Sequence, residues 1–297
     1  MSDDFYGLPT QRLENELIAL DYLTTVGPRI VRFFLKETKE NWLAELPEKY
    51  WNTPHGRFHI RGGHRLWHAP ENATRTYIPD NDPVMITLIN HGVILTQNIE
   101  PETHIRKRMT ILIDPAQAKV TIHHTLENHG KWAVQLAAWP ITMMKLGGTA
   151  VIPQKTTTAD KDGLLPNRHL VLWPYASWLD GRLHLDDALI TVDGRAALPP
   201  LKIGCFTPHN WLGYIRGSSL FLKQFQPRPA KPHADMNCNV EIYVNDEILE
   251  LETQSPLMKL LPQESLTHTE TWHLFTNQQW ANTPQALTKQ IQALITT

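Results

Sequence analysis

The sequence predicts an all-β fold, a large and mostly antiparallel sandwich that ends in one short helix. Three observations predict it: about fifteen short apolar or alternating runs, turn residues that separate them, and a change to helical spacing near the C-terminus. Hydrophobic residues make up 41% of the 297 residues and charged residues 20%, which is enough apolar material for one sizeable core. No change in composition divides the chain, so we expect a single domain over residues 1–297.

The first half of the chain predicts strands that flank one long irregular stretch. Residues 16–22 and 29–35 form a hairpin pattern around a Gly-Pro turn, and residues 41–46 fit one helical turn. Residues 54–83 are rich in Pro, Gly, Asn and His and predict an irregular segment of the kind that often carries function. The strands expected after it cover 84–89, 92–98, 105–113, 119–126 and 134–144.

The second half predicts further strands and then the helix. Thr283 followed by Pro284 is typical of a helix N-terminus, and apolar residues recur at helical spacing from Leu287 to Leu294. We therefore expect one amphipathic helix over about 283–296 that packs on the sandwich. The strands expected before it cover 168–175, 182–192, 201–206, 211–216, 220–226, 240–244, 248–253 and 266–275.

The bulk properties exclude several classes of partner. The net charge is −2, so the sequence predicts no basic surface for nucleic acid. No apolar run approaches the ~20 residues that span a bilayer, so we expect no membrane partner. The N-terminal residues lack the charged and apolar regions of a secretory signal, which predicts a cytoplasmic protein. Cys205 and Cys238 are then expected to be free thiols.

Residues 62–71, Gly-Gly-His-Arg-Leu-Trp-His-Ala-Pro-Glu, concentrate ligand-binding side chains in one segment. The two glycines permit unusual backbone angles and the close approach of a ligand. Arg65 offers a rigid fork of donors, and Trp67 offers a flat apolar face. The alternative is a structural loop in which Trp67 packs and Arg65 pairs with Glu71.

Glu250 and Glu252 form a second candidate site. They lie two residues apart in a predicted strand, so their side chains point to one face about 7 Å apart, while Leu249 and Leu251 pack on the other face. Carboxylates in this arrangement accept hydrogen bonds from sugar hydroxyls or act as a general base. An ordinary solvated strand face explains the same pattern, and the pattern alone leaves both interpretations open.

Two later segments add aromatic and basic side chains. Trp139 lies in a predicted apolar strand, and Arg168, Trp173 and Tyr175 lie within residues 167–175. Aromatic faces suit the C–H side of a pyranose ring, so these rings can line a sugar cleft. Packing in the core is the alternative for each of them.

Four histidines within residues 55–68 raise the question of a metal site. His55, His59, His64 and His68 match no zinc spacing, and no cysteine joins them. The chain also lacks a nucleotide-binding glycine loop and a serine nucleophile elbow. We therefore expect no metal and no other cofactor.

Taken in order, these segments resemble the galactose mutarotase-like (aldose 1-epimerase-like) superfamily, and more closely a bacterial branch of it. The residues that carry the resemblance are 62–71, 139–148, 165–175 and 250–253. The resemblance covers most of the chain, up to about Phe275. It implies a β-supersandwich, a single two-sheet domain with a sugar cleft on one concave face.

The resemblance also implies a chemistry. In aldose 1-epimerases a Glu followed by Thr-Gln removes the proton of the anomeric hydroxyl, and a His protonates the ring oxygen; Glu252 and the two residues after it look similar to that base motif. The segment where the superfamily carries its acid, here 131–146, contains no His, and Trp139 occupies that neighbourhood. A Trp cannot deliver a proton near neutral pH, so His64, or else His129, is the candidate acid.

Two functions follow from these expectations. The first is a carbohydrate-binding protein that holds a hexose or a hexose derivative without transforming it. The alternative is an aldose 1-epimerase (hexose mutarotase) with Glu252 as general base and an acid such as His64. A lyase acting on a uronate polymer is a weaker third interpretation, and it would draw on Arg65, Arg168 and Tyr175.

Overall fold

Two large antiparallel β-sheets face each other across the core, as a computed structural model of the chain shows. The structure describes residues 4–195 and 198–296. The predicted domain boundaries at residues 1 and 297 lie outside the described residues, and the single domain stays a prediction. The strands in chain order are β1 (Asp4–Phe5), β2 (Leu8–Glu14), β3 (Ile18–Leu23), β4 (Ile30–Leu35), β5 (Glu40–Asn41), β6 (Glu45–Thr53), β7 (Gly56–Gly62), β8 (His64–Ala69), β9 (Met85–Ile89), β10 (Gly92–Thr96), β11 (Ile105–Ile113), β12 (Lys119–Asn128), β13 (Val134–Lys145), β14 (Thr149–Pro153), β15 (Val171–Leu172), β16 (Leu183–Leu185), β17 (Leu189–Asp193), β18 (Leu201–Cys205), β19 (Trp211–Arg216), β20 (Ser219–Gln224), β21 (Val240–Val244), β22 (Ile248–Thr253), β23 (Met258–Leu260) and β24 (Ser265–Phe275).

The larger sheet has 12 strands and the smaller sheet 10, and β6 with β7 forms a separate hairpin. The larger sheet follows the order β1-β2-β3-β4-β8-β13-β22-β21-β18-β15, with β5 beside β4 and β23 beside β13. The smaller sheet follows the order β16-β17-β14-β19-β20-β24-β12-β11-β10-β9. The predicted all-β, mostly antiparallel sandwich is confirmed.

Alternation of side chains along the strands creates the core between the sheets. In β11 the apolar residues Ile105, Met109 and Ile111 are buried, whereas Arg106 and Arg108 on the other face are half-buried. In the larger sheet β13 is buried on both faces over most of its length, because one face meets the core and the other meets a second apolar cluster around Trp139. Both faces of the larger sheet therefore carry packed side chains.

The central strands of the larger sheet bring together residues from distant parts of the chain. Ile141 of β13 pairs with Arg65 of β8 on one side and with Glu252 of β22 on the other. Directly paired residues point to the same face of a sheet. The register thus places residues 65, 141 and 252 side by side on the face that points away from the smaller sheet.

The helical segments are α1 (Ala234–Asn237), a single short turn, and α2 (Pro284–Leu294). The predicted C-terminal helix is confirmed as α2, and its Ile291 is buried against Trp211 and Leu189 on the outer face of the smaller sheet. No helix in the described ranges is long and apolar enough to cross a membrane. Cys205 and Cys238 are free thiols, both buried.

Two local predictions were wrong. Residues 41–46 form no helical turn but the end of β5 and the start of β6, and residues 54–83 contain the strands β7 and β8. Composition was misleading here, because Gly62 ends β7 and Gly63 is the single residue between β7 and β8, so the two glycines do not mark a long loop. A Cβ at Gly63 would lie 2.1 Å from the carbonyl oxygen of Ile30, so the close approach to β4 requires glycine.

The predicted strands 16–22 and 29–35 correspond to the paired β3 and β4, which confirms that hairpin. The predicted strand 168–175 is much shorter, since only Val171 and Leu172 pair with β18. The residues around them form turns and irregular backbone. Trp173 and Tyr175 are therefore carried by a loop at the edge of the larger sheet.

Candidate functional site

A cavity of about 530 Å³ opens on the outer face of the larger sheet. This volume lies within the range of about 300–1,000 Å³ that small-molecule sites usually occupy. We call this cavity the cleft. Its aromatic lining residues are Trp51, Trp67, Trp139, Tyr175 and Tyr243, and its charged lining residues are Lys49, Arg65, Glu71, Lys202, Glu247 and Glu250.

The hairpin of β6 and β7 supplies one wall of the cleft. Trp51 is 44% exposed and stacks on Phe58 with ring centroids 6.2 Å apart and planes at 27°. Trp67 meets Trp139 edge to face at 5.5 Å on the floor, where β8 and β13 pair. Aromatic side chains from four strands thus form one continuous apolar surface beside the charged residues.

An ion pair between Arg65 and Glu250 borders this apolar surface. Arg65 Nη2 donates to Glu250 Oε1 at 3.1 Å, and the guanidinium lies 4.1 Å above the ring of Trp67. The Nε and Nη1 atoms of Arg65 and the Nε1 atom of Trp67 are buried and have no hydrogen-bond partner among the described residues. Buried donors of this kind usually have a partner, so these atoms are available to one.

A second charged group, which we call the lysine cluster, consists of Lys202, Glu241, Glu252 and Trp139. Lys202 Nζ lies 2.8 Å from Glu241 Oε2 and 3.0 Å from Glu252 Oε2. Trp139 Nε1 donates to Glu252 Oε2 at 2.8 Å. The Lys202 ammonium also lies 4.7 Å from the ring centroid of Trp139 and 4.6 Å from that of Trp173. Glu252 is fully buried beneath these side chains, and its Oε1 has no partner among the described residues.

The enclosed charges shift one another's protonation. Burial raises the pKa of Glu250 to about 7, against the opposing effect of Arg65. Burial also raises the pKa of Glu241 well above its ordinary value. For Lys202, burial lowers the pKa, but the attraction of Glu241 and Glu252 outweighs burial and the pKa lies well above its usual range. The cleft therefore holds a permanently charged lysine and a carboxyl, Glu250, that exchanges its proton near neutral pH.

The structure places His64 on the opposite side of the sheet from the cleft. His64 is fully buried between the sheets; its Nδ1 lies 2.8 Å from Thr142 Oγ1 and its Nε2 lies 2.7 Å from His124 Nε2. Burial, then the neighbouring His124, holds its pKa well below the usual range. Alternation along β8 explains the placement, because residues 65 and 67 face the cleft and residue 64 faces the core. The expectation that His64 protonates a bound sugar therefore does not fit the structure.

The second candidate acid is also away from the cleft. His129 follows β12 and lies 3.1 Å from the Glu127 carboxylate through its Nε2. Among the described residues that line the cleft, none is a histidine. A proton donor in the cleft would have to be a carboxyl group, a tyrosine or one of the lysines Lys49 and Lys202.

A group of three residues in the core has the composition of a metal site. The ligand atoms of His64, His124 and Glu270 lie within 4.8 Å of one another. Each already has a protein partner: Glu270 Oε1 accepts from Lys223 Nζ at 2.8 Å and from Thr253 Oγ1 at 2.7 Å. A metal ion would have to displace a buried ammonium and break these bonds, so the residues present favour a hydrogen-bond network.

The structure brings most of the predicted site residues together. Those that line the cleft are Arg65, Trp67, Glu71, Trp139, Tyr175 and Glu250. Glu252 lies beneath the floor, and Trp173 joins it through Lys202. Arg168 lies outside the cleft lining and contacts the exposed Asp187 at 3.2 Å. Arg168 therefore does not line the cleft.

Sequence reasoning missed Trp51, Lys202 and Glu241. A usable signal was present, because Lys202 and Glu241 are charged residues inside two short, otherwise apolar strands. A buried charge in such a strand needs a partner of opposite sign. Pairing those two strands next to β22 would have pointed to the lysine cluster.

Solved structures share the architecture of this chain at low sequence identity. A galactose mutarotase-like protein from Lactobacillus casei ATCC 334 matches with a TM-score of 0.58 and 9% identity over 90% of this chain and 100% of that chain. A galactose mutarotase related enzyme from Lactobacillus acidophilus matches with a TM-score of 0.57 and 9% identity over 91% of this chain and 98% of that chain. A TPR-domain containing protein from Parabacteroides distasonis ATCC 8503 matches with a TM-score of 0.59 and 13% identity over 92% of this chain and 48% of that chain.

These likenesses establish the fold, which confirms the predicted galactose mutarotase-like β-supersandwich. No protein-family model and no curated protein matches the sequence. Function must therefore be argued from the cleft itself.

Proposed function

We propose that this chain, which has the galactose mutarotase-like fold, binds a small carbohydrate, a hexose or a hexose derivative, in the cleft. One observation carries the proposal: a single cavity of about 530 Å³ combines an aromatic wall with a fixed arginine–carboxylate pair. Sugars present an apolar C–H face and a rim of hydroxyls. The aromatic rings of Trp51 and Trp67 suit the first, and Arg65 with Glu250 suits the second.

The unpartnered donors in the cleft support this proposal. Arg65 Nε and Nη1 and Trp67 Nε1 are buried without acceptors among the described residues. A hydroxyl oxygen of a bound sugar can accept a hydrogen bond from them, while the same hydroxyl donates a hydrogen bond to the Glu250 carboxylate. Binding then satisfies polar groups that the protein leaves unsatisfied, which favours a polyhydroxylated ligand over an apolar one.

Ligand-observed NMR tests the proposal. Hexoses such as glucose and galactose should show line broadening with the wild-type protein, and Trp51→Ala should weaken binding by about tenfold through loss of the stacking surface. Trp132→Ala is the matched control, because Trp132 is 81% exposed and lies outside the cleft lining. Absence of broadening with every hexose tested, or equal weakening in both variants, would refute carbohydrate binding in the cleft.

A second candidate function is an aldose 1-epimerase with Glu252 as general base. The observation that favours it is that Glu250 and Glu252 lie two residues apart on the same face of β22 and that burial raises the pKa of Glu250 to about 7. Glu250 would then take the place of the histidine acid. In that reaction Glu252, which lies beneath the floor of the cleft, would have to take the proton of the anomeric hydroxyl through its unpartnered Oε1, and Glu250 would give its proton to the ring oxygen.

Two-dimensional exchange NMR between α and β anomers separates the two functions. Faster exchange that is lost in Glu252→Gln would support the epimerase. Binding without faster exchange would support the carbohydrate-binding protein. We also propose a hexose as the partner and a cytoplasmic location for the protein, and catalysis belongs only to the second candidate function.

A further inference from the structure

A second cavity, which we call the side pocket, borders the cleft at Trp51. It measures about 330 Å³, at the lower end of the range of small-molecule sites. Trp51 lines both cavities, so the cleft and the side pocket share one aromatic side chain. The residues that line the side pocket are Trp51, Asn52, Thr53, Pro54, Ala73 and Tyr77.

The ring of Trp51 is held in place although much of it is exposed. It stacks on Phe58, and Tyr77 meets it edge to face with ring centroids 5.3 Å apart. Trp67 on the floor of the cleft lies 6.2 Å from it, measured between ring centroids. An exposed indole that is fixed between two cavities offers a contact surface to a ligand in each of them.

A hydrogen bond also joins the two cavities. Tyr77 lines the side pocket, and its hydroxyl donates to Glu71, which lines the cleft. Trp51 and the contact between Tyr77 and Glu71 therefore connect the lining of one cavity to the lining of the other. A ligand that extends from the cleft past Trp51 would enter the side pocket.

The side pocket carries an amide that has no partner. The side chain of Asn52 is exposed and makes no hydrogen bond with another described residue. An amide offers both donors and an acceptor, which suits the hydroxyls of a sugar. Thr53, by contrast, uses its hydroxyl within the hairpin, where it donates to the Gly56 carbonyl at 2.8 Å. The side pocket thus combines aromatic surface with a free hydrogen-bonding group, and its described lining contains no charged residue.

We propose that the side pocket is a second sugar subsite and that the ligand is an oligosaccharide, with one unit in the cleft and the next unit in the side pocket. The inference rests on the proposed function, since it names the class of carbohydrate bound there. The glycosidic bond keeps the second ring beside the first, so its contacts add to those in the cleft without a second loss of translational freedom. A free hexose in the cleft leaves the Asn52 amide without a ligand contact.

An NMR titration with the wild-type protein compares monosaccharides with disaccharides. The probes are glucose and galactose and four disaccharides built from these hexoses: maltose, cellobiose, lactose and melibiose. We expect at least one disaccharide to bind about tenfold or more tightly than either of its component hexoses, because the second ring gains contacts with Trp51 and Asn52. The four disaccharides differ in linkage, so the titration also shows which linkage lets the second ring reach the side pocket.

The outcomes separate this inference from the proposed function. Binding of the hexoses without tighter binding of any disaccharide would overturn the inference and leave carbohydrate binding in the cleft intact. Failure of all six probes to bind would overturn the proposed function and the inference with it.

A pair of variants assigns the second ring to the side pocket. Asn52 is exposed, so Asn52→Ala should fold, and it should reduce the affinity ratio of disaccharide to hexose by about threefold or more through loss of a hydrogen bond. Asn90→Ala makes the same change at an exposed position in the turn between β9 and β10, outside both linings, and should leave the ratio unchanged. Tighter binding of a disaccharide with the same ratio in both variants would overturn the assignment of the side pocket.

Discussion

At the scale of single residues, Lys202 links two buried carboxyl groups next to the cleft. Its ammonium is buried and compensates two buried carboxyl groups, Glu241 and Glu252. We expect Lys202→Met to lower the free energy of unfolding by about 3–5 kcal/mol, because removal of one partner leaves the opposite charges buried and uncompensated. Denaturant unfolding at pH 7 measures this difference.

The control for that prediction is the rim pair of Lys49 and Glu247. Its side chains are 48% and 36% exposed, so Lys49→Met should change the free energy of unfolding by less than about 1 kcal/mol. Similar losses in the two lysine variants would contradict the importance of burial in the lysine cluster.

The raised pKa of Glu250 should make the stability of the protein depend on pH in a particular way. Burial raises its pKa from 4.5 to about 7, so the folded state favours the protonated form. Its contribution to stability is complete below the unfolded pKa and is lost as the pH rises through the folded pKa. Relative to wild type, Glu250→Gln should therefore gain up to about 3 kcal/mol in unfolding free energy between pH 4.5 and pH 8.

Urea denaturation at several pH values measures this gain. Glu16→Gln should show no such trend relative to wild type, because residue 16 is exposed. A constant difference between Glu250→Gln and wild type across the pH range would show that Glu250 does not take up a proton on folding.

The chemical types of the cleft residues could be predicted from the sequence, but the face of the sheet on which each side chain lies could not. Arg65, Trp67 and Glu250 belong to residue types that bind sugars, and each lines the cleft. His64 was a plausible acid by type, yet its direction depends on the phase of β8, and a shift of one residue exchanges the two faces of a strand. The position of Lys202 next to Glu252 could be predicted only with knowledge of which strands are neighbours in the sheet.

At the scale of elements, β8 shows where reading from composition fails. Its segment contains Gly, His and Pro, which are typical of loops, yet it pairs with β4 and β13 in the middle of the larger sheet. The neighbouring strands β4 and β13 provide its hydrogen bonds, and its side chains are buried on both faces. Its own β propensity therefore matters little. Strongly alternating strands such as β11 were predictable because their pattern reflects one buried face.

The start of α2 supplies a prediction about an element. Thr283 Oγ1 accepts a hydrogen bond from the backbone N–H of Ala286 at 3.3 Å and caps the helix. Thr283→Ala should lower the free energy of unfolding by about 1 kcal/mol. Thr283→Ser should lower it much less, because the serine hydroxyl can also cap the helix. Thermal unfolding compares the two variants, and equal losses would argue against a capping role.

At the scale of the whole molecule, a hydrogen-bond network joins the two sheets through the core. Thr253 of the larger sheet donates to Glu270 of the smaller sheet, and Lys223 of the smaller sheet donates to the Leu251 carbonyl at 2.9 Å. The contact between His64 and His124 also crosses from one sheet to the other. Directional bonds of this kind fix how one sheet sits on the other, which apolar packing alone specifies less strictly.

This network predicts sensitivity to acid. Burial lowers the pKa of His124 to about 3, so the folded state keeps it neutral, and its contribution is present above pH 6.5 and lost as the pH falls toward 3. His124→Gln should be less stable than wild type at pH 7, but the gap should shrink by about 2–3 kcal/mol between pH 7 and pH 4.5.

Denaturant unfolding at the two pH values measures that gap. His91→Gln, at an exposed position, should differ from wild type by the same amount at both pH values. If the gap for His124→Gln also stays constant, the histidine does not remain neutral in the folded state.

The cleft draws its charged pair from residues 185 positions apart in the chain, Arg65 and Glu250. A contact of such long range forms only when a large loop closes, and contacts of this kind favour slow folding. No fragment ending before β22 contains both partners. Formation of the Arg65–Glu250 pair after dilution from denaturant therefore reports long-range refolding, and a nascent chain can form this pair only after residue 250 has been synthesised.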